Sequence, residues 1–202
     1  MKIKICGIRR IEDTEYLNQY SPDYAGFILS EPFWRYVPPE QMKSLTQNLD
    51  KKIQRVGVFV NPEIEQILHY AEYLDIIQLH GEESAELIKL IRQEMNLELW
   101  KAVRVRTPEE IQQADSLPVD KLILDSYSLA SHGGTGTLAP WKLITEHKPV
   151  KPFFLAGGIS AENVTEAIEA VQPFGVDVSS SVETDKCKDR DKIRSFIQKI
   201  RN

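Results

Sequence analysis

The amino-acid sequence predicts an α/β fold, the (β/α)8 or TIM barrel, in which a parallel eight-stranded barrel is ringed by helices. Two observations lead to this prediction. Short apolar runs alternate with segments of helical periodicity along all 202 residues, and there are eight of each. An open doubly wound sheet would usually have fewer strands and a Gly-x-Gly-x-x-Gly turn after the first strand, whereas Cys6-Gly7-Ile8-Arg9 follows it here.

The predicted strands are short runs rich in Ile, Val, Leu and aromatic residues. Most of them are continuously apolar, which is typical of strands that are buried on both faces of a parallel sheet. In chain order the runs are Lys2–Cys6, Asp23–Leu29, Ile53–Phe59, Asp75–Leu79, Glu98–Val103, Lys121–Leu124, Pro152–Ala156 and Gly175–Val178.

The predicted helices lie between these runs. Thr107 precedes Pro108 and can form a capping box with Glu110, so a helix start is predicted there. Asn61 before Pro62 predicts a second start of the same kind. Apolar stripes of helical period are Ile64, Ile67, Leu68 and Ala71; Leu87, Leu90, Ile91 and Met95; Val164, Ala167, Ile168 and Val171; and Ile193, Phe196, Ile197 and Ile200. Weaker patterns cover Ile11–Asn18, Glu40–Asn48 and Pro140–His147.

Composition narrows the class of protein. With 42% hydrophobic and 27% charged residues, the chain is expected to form one compact globular domain over residues 1–202. A net charge of −5 argues against binding to nucleic acid or to an anionic membrane, but not against a small anionic ligand. Only 2 cysteines and no long apolar segment indicate a reducing, cytoplasmic setting with no membrane span.

The active site of such a barrel lies where the carboxyl ends of the strands emerge. Cys6 ends the first predicted strand, Arg35 lies in the loop after the second, His80 follows the fourth and Asp125 the sixth. A thiol, a guanidinium, an imidazole and a carboxylate are therefore expected on one face. For three of them a plain structural role is the alternative: a small buried side chain for Cys6, a helix cap or salt bridge for Asp125, and a cap of the next helix for His80.

Two small-residue turns favour a phosphorylated small molecule as the ligand. Gly157–Gly158 follows the seventh strand, ahead of a helix predicted to be capped by Ser160, and Ser179–Ser180 follows the eighth. Backbone N–H groups in these two loops are where phosphate-binding barrels hold their phosphate. The alternative for the glycine pair is a tight turn without a ligand.

A long loop after the sixth strand contains Gly134 and Gly136, whose backbone could approach a ligand closely. The alternative is an exposed loop without function. Cys187, between Lys186 and Lys188, is expected to be an exposed loop thiol. Because the His and Cys residues lack ligand spacing, no metal site is expected.

The motifs at the strand ends together resemble the phosphoribosylanthranilate isomerase family of tryptophan biosynthesis. They occur in family order along the chain: Lys4-Ile5-Cys6-Gly7, Ala25-Gly26-Phe27, Arg35-Tyr36-Val37, Val56-Gly57-Val58-Phe59-Val60-Asn61, Gln78-Leu79-His80-Gly81, Leu124-Asp125-Ser126, Gly133-Gly134-Thr135-Gly136, Leu155-Ala156-Gly157-Gly158 and Asp177-Val178-Ser179-Ser180.

The resemblance implies an aldose–ketose isomerase without a cofactor, acting as a monomer or homodimer in aromatic amino-acid biosynthesis. N-(5-phosphoribosyl)anthranilate would undergo an Amadori rearrangement to 1-(2-carboxyphenylamino)-1-deoxyribulose 5-phosphate. By family analogy Cys6 is the general base and Asp125 the general acid, and Arg35 faces the anthranilate carboxylate. The turns at 157–158 and 179–180 would hold the phosphate.

The chain departs from the family pattern at three places: Phe33-Trp34 stand where Ser-Pro is usual before the arginine, and Ser181 and Lys186 each stand where Gly is usual. Ser181 is therefore expected to strain the phosphate loop. Two other functions stay open. One is isomerisation of the histidine-pathway aminoaldose, against which Cys6 argues because that enzyme uses Asp as its base. The other is a phosphosugar-binding barrel without turnover.

Overall fold

The computed structural model describes residues 1–125 and 139–201, and its centre is a closed barrel of eight parallel strands. Each strand pairs with the next along the chain, and the eighth pairs with the first. The barrel strands are β1 (Lys2–Cys6), β2 (Tyr24–Ile28), β3 (Gln54–Phe59), β4 (Ile76–Leu79), β5 (Glu98–Arg104), β6 (Lys121–Asp125), β7 (Phe153–Ala156) and β8 (Gly175–Val178). The predicted fold is confirmed.

A helix follows each barrel strand, which is the arrangement that lets parallel strands pair in sequence. The described helices are α1 (Ile11–Tyr20), α2 (Pro39–Asn48), α3 (Ile64–Tyr70), α4 (Ala85–Glu94), α5 (Pro108–Ser116), α6 (Ala139–Glu146), α7 (Val164–Val171) and α8 (Arg190–Arg201). Within the described ranges, no helix is both long and apolar enough to cross a bilayer.

Alternation along each strand divides the buried side chains into two layers. On β1, Ile3 and Ile5 belong to the large apolar cluster between strands and helices, whereas Cys6 belongs to a second cluster inside the barrel. The strands therefore read as continuously apolar because one face meets the helices and the other meets the barrel interior.

Three aromatic rings pack together inside the barrel. Trp100 stacks on Phe154 with ring centroids 4.9 Å apart, and the ring of Tyr24 meets both edge-on at 5.1 and 5.4 Å. All three side chains are buried. They give the cavity at the carboxyl ends of the strands a solid base, because rings packed in this way exclude water and leave little room to move.

One predicted helix start is confirmed and two are wrong. The Thr107 hydroxyl accepts a hydrogen bond from the Glu110 N–H, and the Glu110 side chain reciprocates. The helix expected at Pro62 begins at Ile64 instead, because Asn61 turns to accept a hydrogen bond from the Glu82 N–H at 2.7 Å. Similarly, α7 begins at Val164 with Asn163 as its N-cap, so Ser160 is not the cap.

A short hairpin after β8 was not predicted. Its strands are β9 (Glu183–Thr184) and β10 (Cys187–Lys188). Cys187 is half-buried and lies 3.8 Å from a guanidinium nitrogen of Arg9, so its prediction as an exposed loop thiol is wrong. The turn residues Asp185 and Lys186 have φ of 49° and 61°. Positive φ at both central positions is the geometry of a two-residue hairpin turn that favours glycine at the second.

Lys186→Gly should stabilise the protein, because a side chain at positive φ costs about 1 kcal/mol that glycine avoids. We expect the free energy of unfolding to rise by up to about 1 kcal/mol in urea denaturation, the larger backbone entropy of unfolded glycine offsetting part of the gain. Lys186→Ala is the control. It removes the same ammonium but keeps a Cβ at positive φ, and it should give no gain. Equal stabilisation by both substitutions would contradict this account.

Candidate active site

A cavity of about 1200 Å³ opens at the carboxyl ends of the barrel strands. Every predicted site residue that lies in the described ranges lines it: Cys6, Arg35, His80, Asp125, Gly157, Gly158, Ser179 and Ser180. Gly134 and Gly136 lie outside the described residues. The barrel thus brings together side chains that lie far apart in the sequence, as the position of each at a strand end predicted.

Cys6 lies at the end of β1 and is 9% exposed, so its thiol faces the cavity from a largely dry wall. The strand pairing places Gly26 of β2 opposite it. A Cβ at Gly26 would lie 2.8 Å from Cys6 Sγ, closer than real side-chain carbons approach such an atom. The thiol therefore occupies space that only a glycine on the neighbouring strand leaves open.

Beneath the thiol lies a buried ion pair that sequence reasoning did not assign. Lys4 is fully buried, and its ammonium donates to both oxygens of Asp177 at 3.0 and 3.1 Å. Lys4 and Asp177 face each other across the β1–β8 pairing. The available signal was positional, because Lys4 is two residues from Cys6 and must share its face of the strand.

Asp125 ends β6 and reaches the cavity from a different side of the barrel than β1. It is paired in register with Arg104 of β5 and with Ala156 of β7. The carboxylate is half-buried and acts electrostatically on His80 and Asp177. Cys6 and Asp125 therefore face one cavity from two directions, which is the arrangement that a base and an acid need to act on one bound molecule.

His80 follows β4, where its backbone N–H donates to the Phe59 carbonyl at 2.8 Å. Burial lowers the pKa of His80 below its ordinary value, and the Asp125 charge only partly opposes this. The imidazole is therefore neutral at pH 7, and it can donate or accept a hydrogen bond at the cavity wall without adding charge.

The loop after His80 is held by a second buried ion pair. The Lys101 ammonium lies 3.0 Å from Glu83 Oε2 and donates to the Gly81 carbonyl at 2.7 Å. Glu83 in turn accepts from the Gly81 N–H at 2.7 Å. Both side chains are buried. This clamp fixes the backbone directly after the imidazole, so the ring is presented from a rigid support.

Arg35 lines the cavity but is already paired. Its guanidinium donates to both oxygens of Glu183 at 2.9 and 2.7 Å and stacks over the Trp34 ring at 4.1 Å. Glu183 also accepts from Lys188 at 2.7 Å. Glu183 and Lys188 belong to the unpredicted hairpin, and sequence reasoning missed both. Burial alone would raise the pKa of Glu183, but hydrogen bonds from Arg35 and Lys188 outweigh it and leave the pKa below its ordinary value.

The two predicted phosphate turns lie side by side at the rim. Gly157 and Gly158 have φ of 83° and 69°, and the Asn163 side chain fastens the turn by donating to the Gly158 carbonyl at 2.8 Å. Ser179 Oγ donates to the Cys6 carbonyl at 3.0 Å, which ties the second turn to β1. Both turns expose backbone at a cavity edge, as an anion site requires.

The expected strain at Ser181 is wrong. Ser180–Val182 forms a short 3₁₀ turn, and Ser181 does not have a positive φ. A serine fits this conformation as well as glycine does, so the loop keeps its shape. Ser181 also lines the cavity, and its buried hydroxyl oxygen has no hydrogen-bond partner in the described part of the chain.

The comparisons with known proteins agree with this site. The family model of N-(5'-phosphoribosyl)anthranilate (PRA) isomerase matches residues 3–199. The chain belongs to this family. Relatives named N-(5'-phosphoribosyl)anthranilate isomerase from Caldanaerobacter subterraneus subsp. tengcongensis and from Clostridium acetobutylicum are each 41% identical to it, over 100% of this chain and 98% of theirs.

Solved structures of the family have the same fold. The phosphoribosylanthranilate isomerase of Thermotoga maritima superposes with a TM-score of 0.89 at 36% identity, covering 100% of this chain and 98% of that one. A family member in complex with reduced 1-(o-carboxyphenylamino)-1-deoxyribulose 5-phosphate gives a TM-score of 0.86 at 35% identity, with the same coverage.

Gly26→Ala should impair the site through the thiol. The new Cβ would displace Cys6 Sγ. Because Cys6 is the expected general base, we expect kcat to fall about tenfold to a hundredfold. Overpacking should also cost about 1–3 kcal/mol of unfolding free energy. Gly175→Ala is the matched control, because its Cβ would meet the Phe154 ring at the start of β8, away from the cavity. It should lower stability but leave kcat of the folded enzyme unchanged.

The Glu183 pairing predicts a pH-dependent stability. Because the folded-state pKa of Glu183 is lowered, its contribution is complete above the ordinary carboxyl pKa and is lost as the pH falls through the folded-state value. Glu183→Gln should therefore lower the unfolding free energy most at neutral pH, and the difference from wild type should shrink in acid. Urea denaturation at several pH values measures it. Glu65→Gln, at an exposed position of α3, is the control; a difference for Glu183→Gln that stays constant with pH would contradict the assignment.

Proposed function

We propose that Cys6 is the general base and Asp125 the general acid of the phosphoribosylanthranilate isomerase reaction, which this chain catalyses. One observation carries the proposal: in a chain of this family, a thiol and a carboxylate face a single cavity from different strands, next to two turns suited to phosphate. The substrate is N-(5'-phosphoribosyl)anthranilate and the product 1-(2-carboxyphenylamino)-1-deoxyribulose 5-phosphate.

The reaction needs one proton donor and one proton acceptor. Asp125 protonates the ribose ring oxygen, so that the ring opens as the amine nitrogen supplies its electron pair. The Cys6 thiolate then removes the proton from C2, and an enolamine forms that becomes the aminoketose. Because the molecule only redistributes its own electrons and protons, no external oxidant or reductant is required. The two side chains must lie on different sides of the sugar, as their placement on β1 and β6 supports.

The ends of the substrate have separate partners in this proposal. The phosphate accepts hydrogen bonds from backbone N–H groups of the turns at Gly157–Gly158 and Ser179–Ser180. The anthranilate carboxylate meets Arg35. Of the five N–H donors of a guanidinium, Glu183 accepts only two here, so donors are left for a substrate carboxylate. Neutral His80 supplies a hydrogen bond at the cavity wall.

We also propose that the enzyme acts in the cytoplasm as a monomer or homodimer. A related phosphoribosylanthranilate isomerase, that of Thermotoga maritima, is dimeric, and a structure of monomers generated from it has also been solved. Gly134 and Gly136 are proposed to approach the substrate from the loop after β6.

Cys6→Ser and Asp125→Asn test the two roles. Each should lower kcat by about two to four orders of magnitude, the usual contribution of a positioned acid or base, while the fold persists by circular dichroism. The assay follows the loss of fluorescence of freshly generated N-(5'-phosphoribosyl)anthranilate. Turnover like that of wild type in either variant would refute that residue's role.

The same assay separates the other candidate functions. Binding of the substrate without its conversion by the wild-type chain would indicate a phosphosugar-binding barrel. Conversion of the histidine-pathway aminoaldose in preference, measured by competition, would indicate the related isomerase. We expect neither, because the cavity holds a thiol at the end of β1 and the chain matches its family over nearly its full length.

A further inference from the structure

The ion pair beneath Cys6 has an unusual environment. The Lys4 side chain is fully buried, and Asp177 is 9% exposed. Lysine is almost never removed from water unless its charge is paired, and such a pair gives little net stability because both ions lose hydration. A better-packed apolar pair would hold β1 against β8 equally well. The position of the pair therefore invites a functional explanation.

The Lys4 ammonium lies beside the thiol of Cys6. The point where a Gly26 Cβ would lie is 2.8 Å from Cys6 Sγ and 3.0 Å from Lys4 Nζ, so both atoms border the same small space. Burial alone would lower the pKa of Lys4, but attraction to the Asp177 and Cys6 charges outweighs it and raises the pKa. Lys4 therefore keeps its positive charge while it lies next to the sulfur.

We propose that Lys4 is a positioning residue of the isomerase reaction: its ammonium is the fixed countercharge of the Cys6 thiolate, and Asp177 holds that ammonium in place. The proposal rests on the proposed role of Cys6 as base. A thiol removes a proton only as thiolate, and a buried thiolate requires a nearby cation. Two of the three ammonium donors are used by Asp177, which leaves one to point at the sulfur.

Other charged groups also face this region. Lys188 of β10 is a second cation that interacts with Cys6, but its ammonium is held by Glu183 at 2.7 Å and by the Ser179 carbonyl at 2.9 Å. His80 after β4 is neutral at pH 7, and Asp125 of β6 carries no positive charge, so neither supplies the cation that a thiolate requires. Lys4 is thus the cation that lies on the same strand as Cys6, two residues away and on the same face.

Alkylation of Cys6 tests the proposal without any substrate. In a Cys187→Ser background Cys6 is the only thiol, and its rate of reaction with iodoacetamide as a function of pH follows its thiolate form. Lys4→Gln with Asp177→Asn removes both charges and leaves no buried ion unpaired. We expect the midpoint of the pH profile to move to higher pH by about one to three units. Lys4→Gln alone, which leaves the Asp177 anion beside the thiol, should move it further.

Activity provides a second readout. The double variant should lose about tenfold or more in kcat at neutral pH, with little change in KM, and should recover towards wild type as the pH rises. A pair that only braces the barrel would lower stability without moving either pH profile. The matched control is Lys101→Gln with Glu83→Gln, a second buried pair whose removal should destabilise the protein but leave the alkylation midpoint of Cys6 unchanged.

An alkylation midpoint in the double variant equal to that of wild type would overturn the proposal. If Lys4→Gln alone does not fold, the double variant decides, because it contains no unpaired charge. The failure of the proposed function is distinguishable: a wild-type chain without turnover but with the predicted alkylation shifts would retain the Lys4–Cys6 interaction and lose only its use in isomerisation.

Discussion

Parallel pairing between β1 and β8 joins the first strand of the chain to the last strand of the barrel, with Lys4 opposite Asp177 and Ile5 opposite Val178. This closure depends on backbone hydrogen bonds that no local segment can form by itself. The Ser179 hydroxyl donates to the Cys6 carbonyl at 3.0 Å, so the thiol and the turn that follows β8 are supported together. The rest of the site is arranged around this closure.

A series of hydrogen bonds and ion pairs connects the closure of the barrel with the rim of the cavity. Lys188 donates to the Ser179 carbonyl and to Glu183, and Glu183 holds Arg35, which stacks on Trp34. The unpredicted hairpin supplies both Glu183 and Lys188. The hairpin therefore connects the end of β8 with the loop after β2 and fixes the orientation of a guanidinium that lines the cavity. Trp34, one of the departures from the family pattern, contributes a flat apolar surface for that guanidinium.

The cavity also combines two electrostatic environments. Around Cys6 the buried cations Lys4 and Lys188 favour negative charge, whereas His80 is kept neutral by burial. Asp125 ends β6, three strands from β1 around the closed barrel, and is half-buried. A reaction that moves a proton within one molecule needs a deprotonated base and a protonated acid at the same pH. Separate environments for the two groups on one rigid barrel allow this.

The sequence by itself determined the order of strands and helices, the barrel they form and the residues at the strand ends. Cys6, Asp125 and the glycine turn line one cavity because a closed parallel barrel collects the carboxyl ends of all its strands at one face, whatever the intervening sequence. Strand boundaries were predictable for the same reason, since burial on both faces leaves a continuous apolar run.

Only the tertiary structure decided which charged groups pair. Lys4 with Asp177 and Arg35 with Glu183 meet across 173 and 148 residues of sequence. Similarly, Asn61 does not cap a helix as predicted but accepts a hydrogen bond from the next loop, and α7 begins after a turn held by Asn163. Helix capping and ion pairing depend on groups that lie within about 3 Å of each other. Closure of the barrel decides which groups come that close, and the pattern of residues along the sequence does not contain this information.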